Sequence, residues 1–125
     1  MFSTTDTIVA IATPPGRGGI GVVRLSGHDA HVIGRQLIAR DRPLTPRHAT
    51  FTEIRTKAGA TIDHGIVTYF PAPASYTGED VVEISAHGSP AVLREIVRAA
   101  IGAGARLAEP GEFTFRAYLG GRIDL

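Results

Sequence analysis

The stretch Asp80-Val81-Val82-Glu83-Ile84-Ser85-Ala86-His87, followed at once by Gly88-Ser89-Pro90, decides the fold class. Alternate residues of an extended chain point to opposite faces, so Val82, Ile84 and Ala86 share one face and Val81, Glu83, Ser85 and His87 the other. The first face is predicted to be core. Gly88-Ser89-Pro90 is a helix-start signal, with Ser89 at the N-cap and Pro90 in the first helical position. Beyond it Val92, Leu93, Ile96, Val97, Ala100 and Ile101 line one side of a helix, Arg94, Glu95 and Arg98 line the other, and Gly102 and Gly104 stop it. A half-buried strand that runs straight into an amphipathic helix implies a sheet with helices packed on it.

Working outward, residues 105–108 read as a short extended piece. A last helix is expected from Gly111 to Leu119, with Pro110 at its entry, Gly120-Gly121 after it, and Glu112 and Arg116 spaced as an i,i+4 pair. Upstream, residues 50–56 and 61–70 are β-rich and flank Lys57-Ala58-Gly59-Ala60, a hairpin pattern; Pro71-Ala72-Pro73 stops the second strand. Residues 29–39 carry apolar side chains at 32, 33, 37 and 38, a helical spacing, ended by the segment 41–46 with Pro43 and Pro46. Residues 7–13 and 20–27 read as strands, and the second places Ile20, Val22, Arg24 and Ser26 on one face. The order predicts an α+β fold with one mixed β-sheet and two or three packed helices.

A chain of 125 residues is one domain's worth and buries about two thirds of its unfolded surface. It contains no Cys, which excludes a disulfide framework, thiolate metal ligation and a cysteine nucleophile within these residues. No apolar run approaches the roughly 18 residues of a membrane span. The N-terminus lacks the basic and apolar regions of a signal peptide, so a cytoplasmic location is expected. A formal charge of +1 argues against electrostatically driven nucleic-acid binding by this domain.

Gly16-Arg17-Gly18-Gly19-Ile20-Gly21 fits G-x-G-x-x-G, and Asp41 follows about 20 residues on. The dinucleotide fingerprint requires those glycines to open a helix. Here they open Val22-Val23-Arg24-Leu25, a β pattern, so the motif is read as a loop that exposes backbone or approaches a ligand closely. Glu83, opposite the apolar face of its strand, can accept two parallel N–H bonds from a planar edge such as that of a pterin or a guanine; an ordinary solvated strand face is the alternative. Arg24, among apolar neighbours, needs an acceptor, either in a ligand or on a neighbouring strand. His87, just before a helix N-terminus, is a candidate to bind an anion with the backbone of Gly88 and Ser89. No triad or metal-ligand spacing stands out among the five His residues.

Three blocks of sequence together carry a family resemblance. They are Asp6-Thr7-Ile8 with Ala12-Thr13-Pro14-Pro15-Gly16-Arg17-Gly18-Gly19-Ile20-Gly21 and Arg24-Leu25-Ser26-Gly27; Tyr76-Thr77-Gly78-Glu79-Asp80-Val81-Val82-Glu83 with His87-Gly88; and Ala108-Glu109-Pro110-Gly111-Glu112-Phe113-Thr114 through Arg116-Ala117, Leu119 and Ile123-Asp124-Leu125. In this order they resemble the N-terminal region of the bacterial tRNA modification GTPase family MnmE (TrmE). The resemblance implies a fold similar to the tetrahydrofolate-binding domains of glycine-cleavage and dimethylglycine-oxidising enzymes. It implies that residues 1–125 form the folate-binding, dimer-forming domain of a longer protein. A helical domain and an inserted GTP-binding domain, which uses Mg and K, follow in the family.

The implied cofactor is a reduced folate, 5-formyl- or 5,10-methylene-tetrahydrofolate, which supplies a one-carbon unit for C5 of the tRNA wobble uridine (U34). The implied partners are a second copy of the chain, the FAD-containing MnmG and tRNA, with no membrane. Carried over by position, the folate contacts fall on Arg24, Glu83 and Arg122; at Arg122 the family more usually has Lys. Glu83 would read the pterin amino edge, while Arg24 and Arg122 supply positive charge. No catalytic residue and no metal ligand is expected here, and the chain alone is not expected to hydrolyse GTP. A dimerisation scaffold with weak folate binding is the alternative.

Overall fold

The computed structural model describes residues 5–14, 16, 18–40 and 42–123. In chain order the elements are β1 (Ile8–Ile11), β2 (Gly18–Ser26), α1 (Ala30–Gln36), β3 (Thr50–Arg55), β4 (Thr61–Phe70), β5 (Val81–Gly88), α2 (Pro90–Gly102), β6 (Arg106–Leu107) and α3 (Glu112–Leu119). The six strands form one sheet in the order β3-β4-β5-β2-β1-β6. Neighbours are antiparallel except β1 and β6, which are parallel, so the sheet is mixed and the fold is α+β as expected.

The alternation in β5 behaves as its sequence predicts. Val82, Ile84 and Ala86 join Val9, Val23, Leu25 and Val67 in a core closed by Ala30, Ile33 and Leu37 around α1 and by Leu93, Ile96 and Ala100 of α2. Burying a large aliphatic side chain contributes roughly 1.5–3 kcal/mol, which makes this one face the main source of stability. Ser89 stands at the N-cap of α2 with extended backbone and Pro90 opens the helix, although the Ser89 hydroxyl makes no capping bond.

Two readings of α1 are corrected. The helix stops at Gln36, and Val32 is exposed. Leu37 and Ile38 are buried, but on a different account: the chain leaves the helix there to meet the edge of β3, with Ile38 bridging Ile54 and Arg55 N–H donating to the Leu37 carbonyl at 2.7 Å. The helix-like spacing of 33, 37 and 38 thus spans a helix and the edge contact after it.

α3 starts differently from α2. Gly111 occupies its N-cap with φ +80°, a left-handed backbone that favours glycine, and the Glu112 carboxylate accepts the Glu109 N–H at 3.0 Å. Glu112, Arg116 and Ala117 are buried. The charged i,i+4 pair therefore lies inside the molecule rather than on its surface.

Candidate functional site on the far face of the sheet

The sheet face opposite α1 and α2 is built from cross-strand rows, because residues paired in register share a face. Ile8, Ser26, Val81 and Phe70 form one row; Ala10, Arg24, Glu83 and Thr68 form the next; Val22, Ser85, Ile66 and Phe51 form a third. Ile8, Ser26 and Val81 are closed off from solvent. The rows beyond them are open, and Ile20 and Phe51 there are 70% and 72% exposed.

Arg24 and Glu83 are brought together. They face each other in the β2–β5 register, and Arg24 Nε donates to Glu83 Oε2 at 2.9 Å. Both are partly exposed. The pair uses one carboxylate oxygen and one guanidinium nitrogen. Among the described residues no other hydrogen bond to either side chain is formed, which leaves the second carboxylate oxygen and the remaining guanidinium donors without a hydrogen-bond partner there. The Tyr76 ring lies over the guanidinium, 4.8 Å from Cζ to the ring centroid, a cation–π contact. The need for partners inferred from the strand pattern is thus met, within the chain, by the neighbouring-strand alternative.

Arg122 is not brought to the pair: among the described residues it forms no ion pair with Glu83. It follows α3, with its N–H donating to the Ala117 carbonyl at 2.8 Å, and its side chain is exposed. Its Cγ borders Gly78: a side-chain carbon added at Gly78 would meet it at 3.7 Å. A cleft of about 210 Å³ is lined by Thr77, Gly78 and Glu79 and by Arg116, Leu119 and Gly120. Tyr76 at one end of the 76–78 segment reaches Arg24, and Gly78 at the other end reaches Arg122.

Behind this segment runs a chain of ionic contacts. Arg116, 3% exposed, donates to the Asp6 carbonyl at 2.7 Å, to Asp6 Oδ1 at 2.9 Å and to Glu79 Oε1 at 3.1 Å. Glu79 Oε1 also accepts the Ser26 hydroxyl at 2.8 Å, and Ser26 Oγ lies 2.6 Å from Thr77 Oγ1. Arg106 donates to Asp6 and to both oxygens of Glu112. Burial works to raise the Glu112 pKa, but the hydrogen bonds from Arg106 and the Glu109 N–H, with the charges of Arg106 and Arg116, outweigh it and hold the carboxyl below its ordinary value. The same partners, Asp6 first and Glu112 next, raise the Arg106 pKa.

The 112/116 spacing revealed one pair of this network. Asp6 and Glu79 carried no local signal, because Asp6 meets Arg106 and Arg116 across 100 and 110 residues and Glu79 meets Arg116 across 37; Arg106 also bonds Glu112, six residues on, a spacing that no regular element flags. At His87, a candidate anion contact, the ring Nδ1 lies 2.9 Å from Asp63 and the N–H donates to Asp63 Oδ2 at 2.9 Å, so a carboxylate of the chain already engages this residue. The glycines open a strand and not a helix, as the sequence pattern required, but the loop reading is corrected: β2 already begins at Gly18, and Gly21 within it leaves room for the Leu93 side chain. Pro15, Arg17, Asp41, Asp124 and Leu125 lie outside the described residues. Among the described residues no three His, Asp or Glu side chains gather as a metal site, and no helix is long and apolar enough to cross a membrane.

Comparison with known proteins bears on this arrangement. The family model "GTP-binding protein TrmE N-terminus" matches residues 7–122. The chain is 56% identical over 122 residues to the tRNA modification GTPase MnmE of Francisella tularensis subsp. novicida, covering 98% of this chain and 26% of that protein. It is 56% identical over 127 residues to the tRNA modification GTPase MnmE of Bordetella petrii, covering 98% of this chain and 28% of that protein. The chain spans about a quarter of the length of the curated relatives it matches. A match over residues 7–122 takes in all six strands and three helices, and Arg24, Glu83 and Arg122 with them, and on it the chain belongs to the TrmE N-terminal family.

Proposed function

We propose that this chain is the reduced-folate-binding, dimer-forming domain of a GTPase that modifies C5 of the tRNA wobble uridine. The folate, 5-formyl- or 5,10-methylene-tetrahydrofolate, is held by Arg24, Glu83 and Arg122 and supplies the one-carbon unit. The observation that carries the reading is the register pair Arg24–Glu83 on an open sheet face under Tyr76. A carboxylate with an oxygen to spare accepts the planar N–H edge of a pterin, and an aromatic ring beside it offers a stacking surface. Arg24 and Arg122 supply cations to the ligand's oxygens. Similarity to the folate-binding domains of glycine-cleavage enzymes belongs to the same proposal.

In this reading GTP, Mg and K bind through other parts of the longer protein, which works in the cytoplasm with the FAD-containing MnmG on tRNA. The present chain neither hydrolyses GTP nor modifies tRNA by itself. Calorimetric titration with 5-formyl-tetrahydrofolate tests it. Wild type is expected to bind saturably, and Glu83→Ala to bind at least tenfold more weakly, the loss of about 1.4 kcal/mol that one charge-assisted contact supplies. Equal binding by both overturns the assignment.

A second reading, a dimerisation scaffold with little folate affinity, is favoured by the apolar end of the same face. Ile20, Phe51 and Ile66 are exposed around a groove of about 270 Å³. Concentration-dependent mass without folate heat would select it.

A further inference from the structure

The three residues assigned to folate come from two bodies that the sheet does not join. Arg24 and Glu83 are fixed by strand register, whereas Arg122 hangs beyond α3. Something must hold α3 at a set distance from the sheet if the three are to meet one ligand, because a misplacement of about 1 Å already weakens a site. The polar chain through Ser26, Glu79 and Arg116 is placed to do this. Ser26 lies in the row next to Arg24, Glu79 accepts from Ser26 on one side and from Arg116 on the other, and Arg116 lies in the helix that ends at Arg122. Thr77 adds a second link, bonding Ser26 and the Glu79 N–H. Gly120 then lies so close to the Thr77 carbonyl that a Cβ at that position would collide with it.

We infer that Glu79 and Arg116 are positioning residues, which set Arg122 against the Arg24–Glu83 pair without touching the ligand. The inference rests on the folate reading. It makes the 76–79 segment a strap between two halves of a site: Tyr76 over Arg24, Glu79 on Arg116, Gly78 against Arg122. The geometry also says why a carboxylate stands at 79. One group must accept from a hydroxyl and a guanidinium at once, and the Glu79 side chain does so with Oε1 while Oε2 lies 3.4 Å from Arg116.

The experiment is a double-mutant cycle on 5-formyl-tetrahydrofolate affinity with Glu79→Gln, Arg122→Ala and the pair, read beside hydrogen exchange of the unliganded chain. Glu79→Gln keeps an acceptor for Ser26 and removes the charge that ties Arg116 to the 76–79 segment, while Asp6 still holds Arg116 and the sheet pairing is untouched. Each single change is expected to weaken folate about tenfold, and the double change no more than Arg122→Ala alone, since coupled residues do not add. Without folate, Glu79→Gln is expected to speed exchange at Gly120, Gly121 and Arg122 and leave the β2 and β5 amides protected. Arg116→Lys, which keeps a charge but cannot fork between Asp6 and Glu79, is expected to match Glu79→Gln.

Three results overturn the inference: unchanged affinity in Glu79→Gln, losses that multiply in the double variant, or unchanged exchange at 120–122. Wild type that gives no folate heat overturns the folate reading itself. Saturable wild-type binding lost in Glu83→Ala but indifferent to Glu79→Gln leaves that reading standing and removes only the strap.

Discussion

Glu112 keeps its charge inside the molecule, 0% exposed, because two guanidinium groups and a backbone N–H surround it. Its folded pKa lies below the ordinary 4.5, so the unfolded chain takes up the proton first as acid is added. The stability it contributes is therefore present above about pH 4.5 and lost as the pH falls through the lower folded value. Glu112→Gln is expected to lose about 3 kcal/mol at pH 7, the cost of leaving a buried cation with one partner fewer, and to flatten the acid limb of a denaturation series. His31 behaves in the same sense. Burial first and Arg35 second lower its pKa, with Asp80 opposing, while its ring stacks on Tyr69 at 4.0 Å and its Nε2 accepts the Leu44 N–H at 3.2 Å. A His depressed below 6.5 destabilises the fold as the pH drops through about 6.5, since protonation removes the acceptor that Leu44 needs. His31→Phe is expected to abolish that part of the slope between pH 7.5 and 5.5 in thermal melts.

At the scale of elements, the period of the apolar residues was sufficient wherever one face of an element meets one neighbour. In β5 and α2 it found the core face, although Val81, on the opposite face of β5, is buried as well. In α2 the stripe was drawn one residue too wide: Ile96 is buried but Ile101, at its end, is exposed. Ile96→Ala is expected to cost about 3 kcal/mol and Ile101→Ala less than about 0.5 kcal/mol, measured by denaturant unfolding. Periodicity failed at α1 because a strand edge, not a helix turn, buries Ile38. At α3 the i,i+4 spacing found the Glu112–Arg116 pair, but spacing alone carries no information on its burial. The candidate site was legible in part for the same reason. Face assignment put Glu83 opposite the apolar face of its strand and left Arg24, among apolar neighbours, in need of an acceptor, but only the register, joining residues 59 apart, shows that they meet.

The whole molecule presents two unlike sheet faces, one sealed by α1 and α2 and one carrying Ile20, Phe51 and Ile66 beside the charged pair. A dimer through the second face, as proposed, would cover these three residues. Ile20→Asp with Phe51→Asp is then expected to shift the sedimentation mass from two chains towards one with little change in the melting temperature, because neither side chain supports the monomer core. A parallel loss of melting temperature and of mass would assign the residues to the fold instead. Asp6 adds a condition that concerns time rather than space. It stands near the start of the chain, yet its partners Arg106 and Arg116 come 100 and 110 residues later. On a ribosome adding about 5–20 residues per second, the first strand must wait several seconds for the groups that neutralise and anchor its beginning. The domain is thus expected to close from its last-made helix backwards, and a nascent chain halted before Arg116 should remain protease-sensitive at its N-terminus even after the hairpin of β3 and β4 has formed.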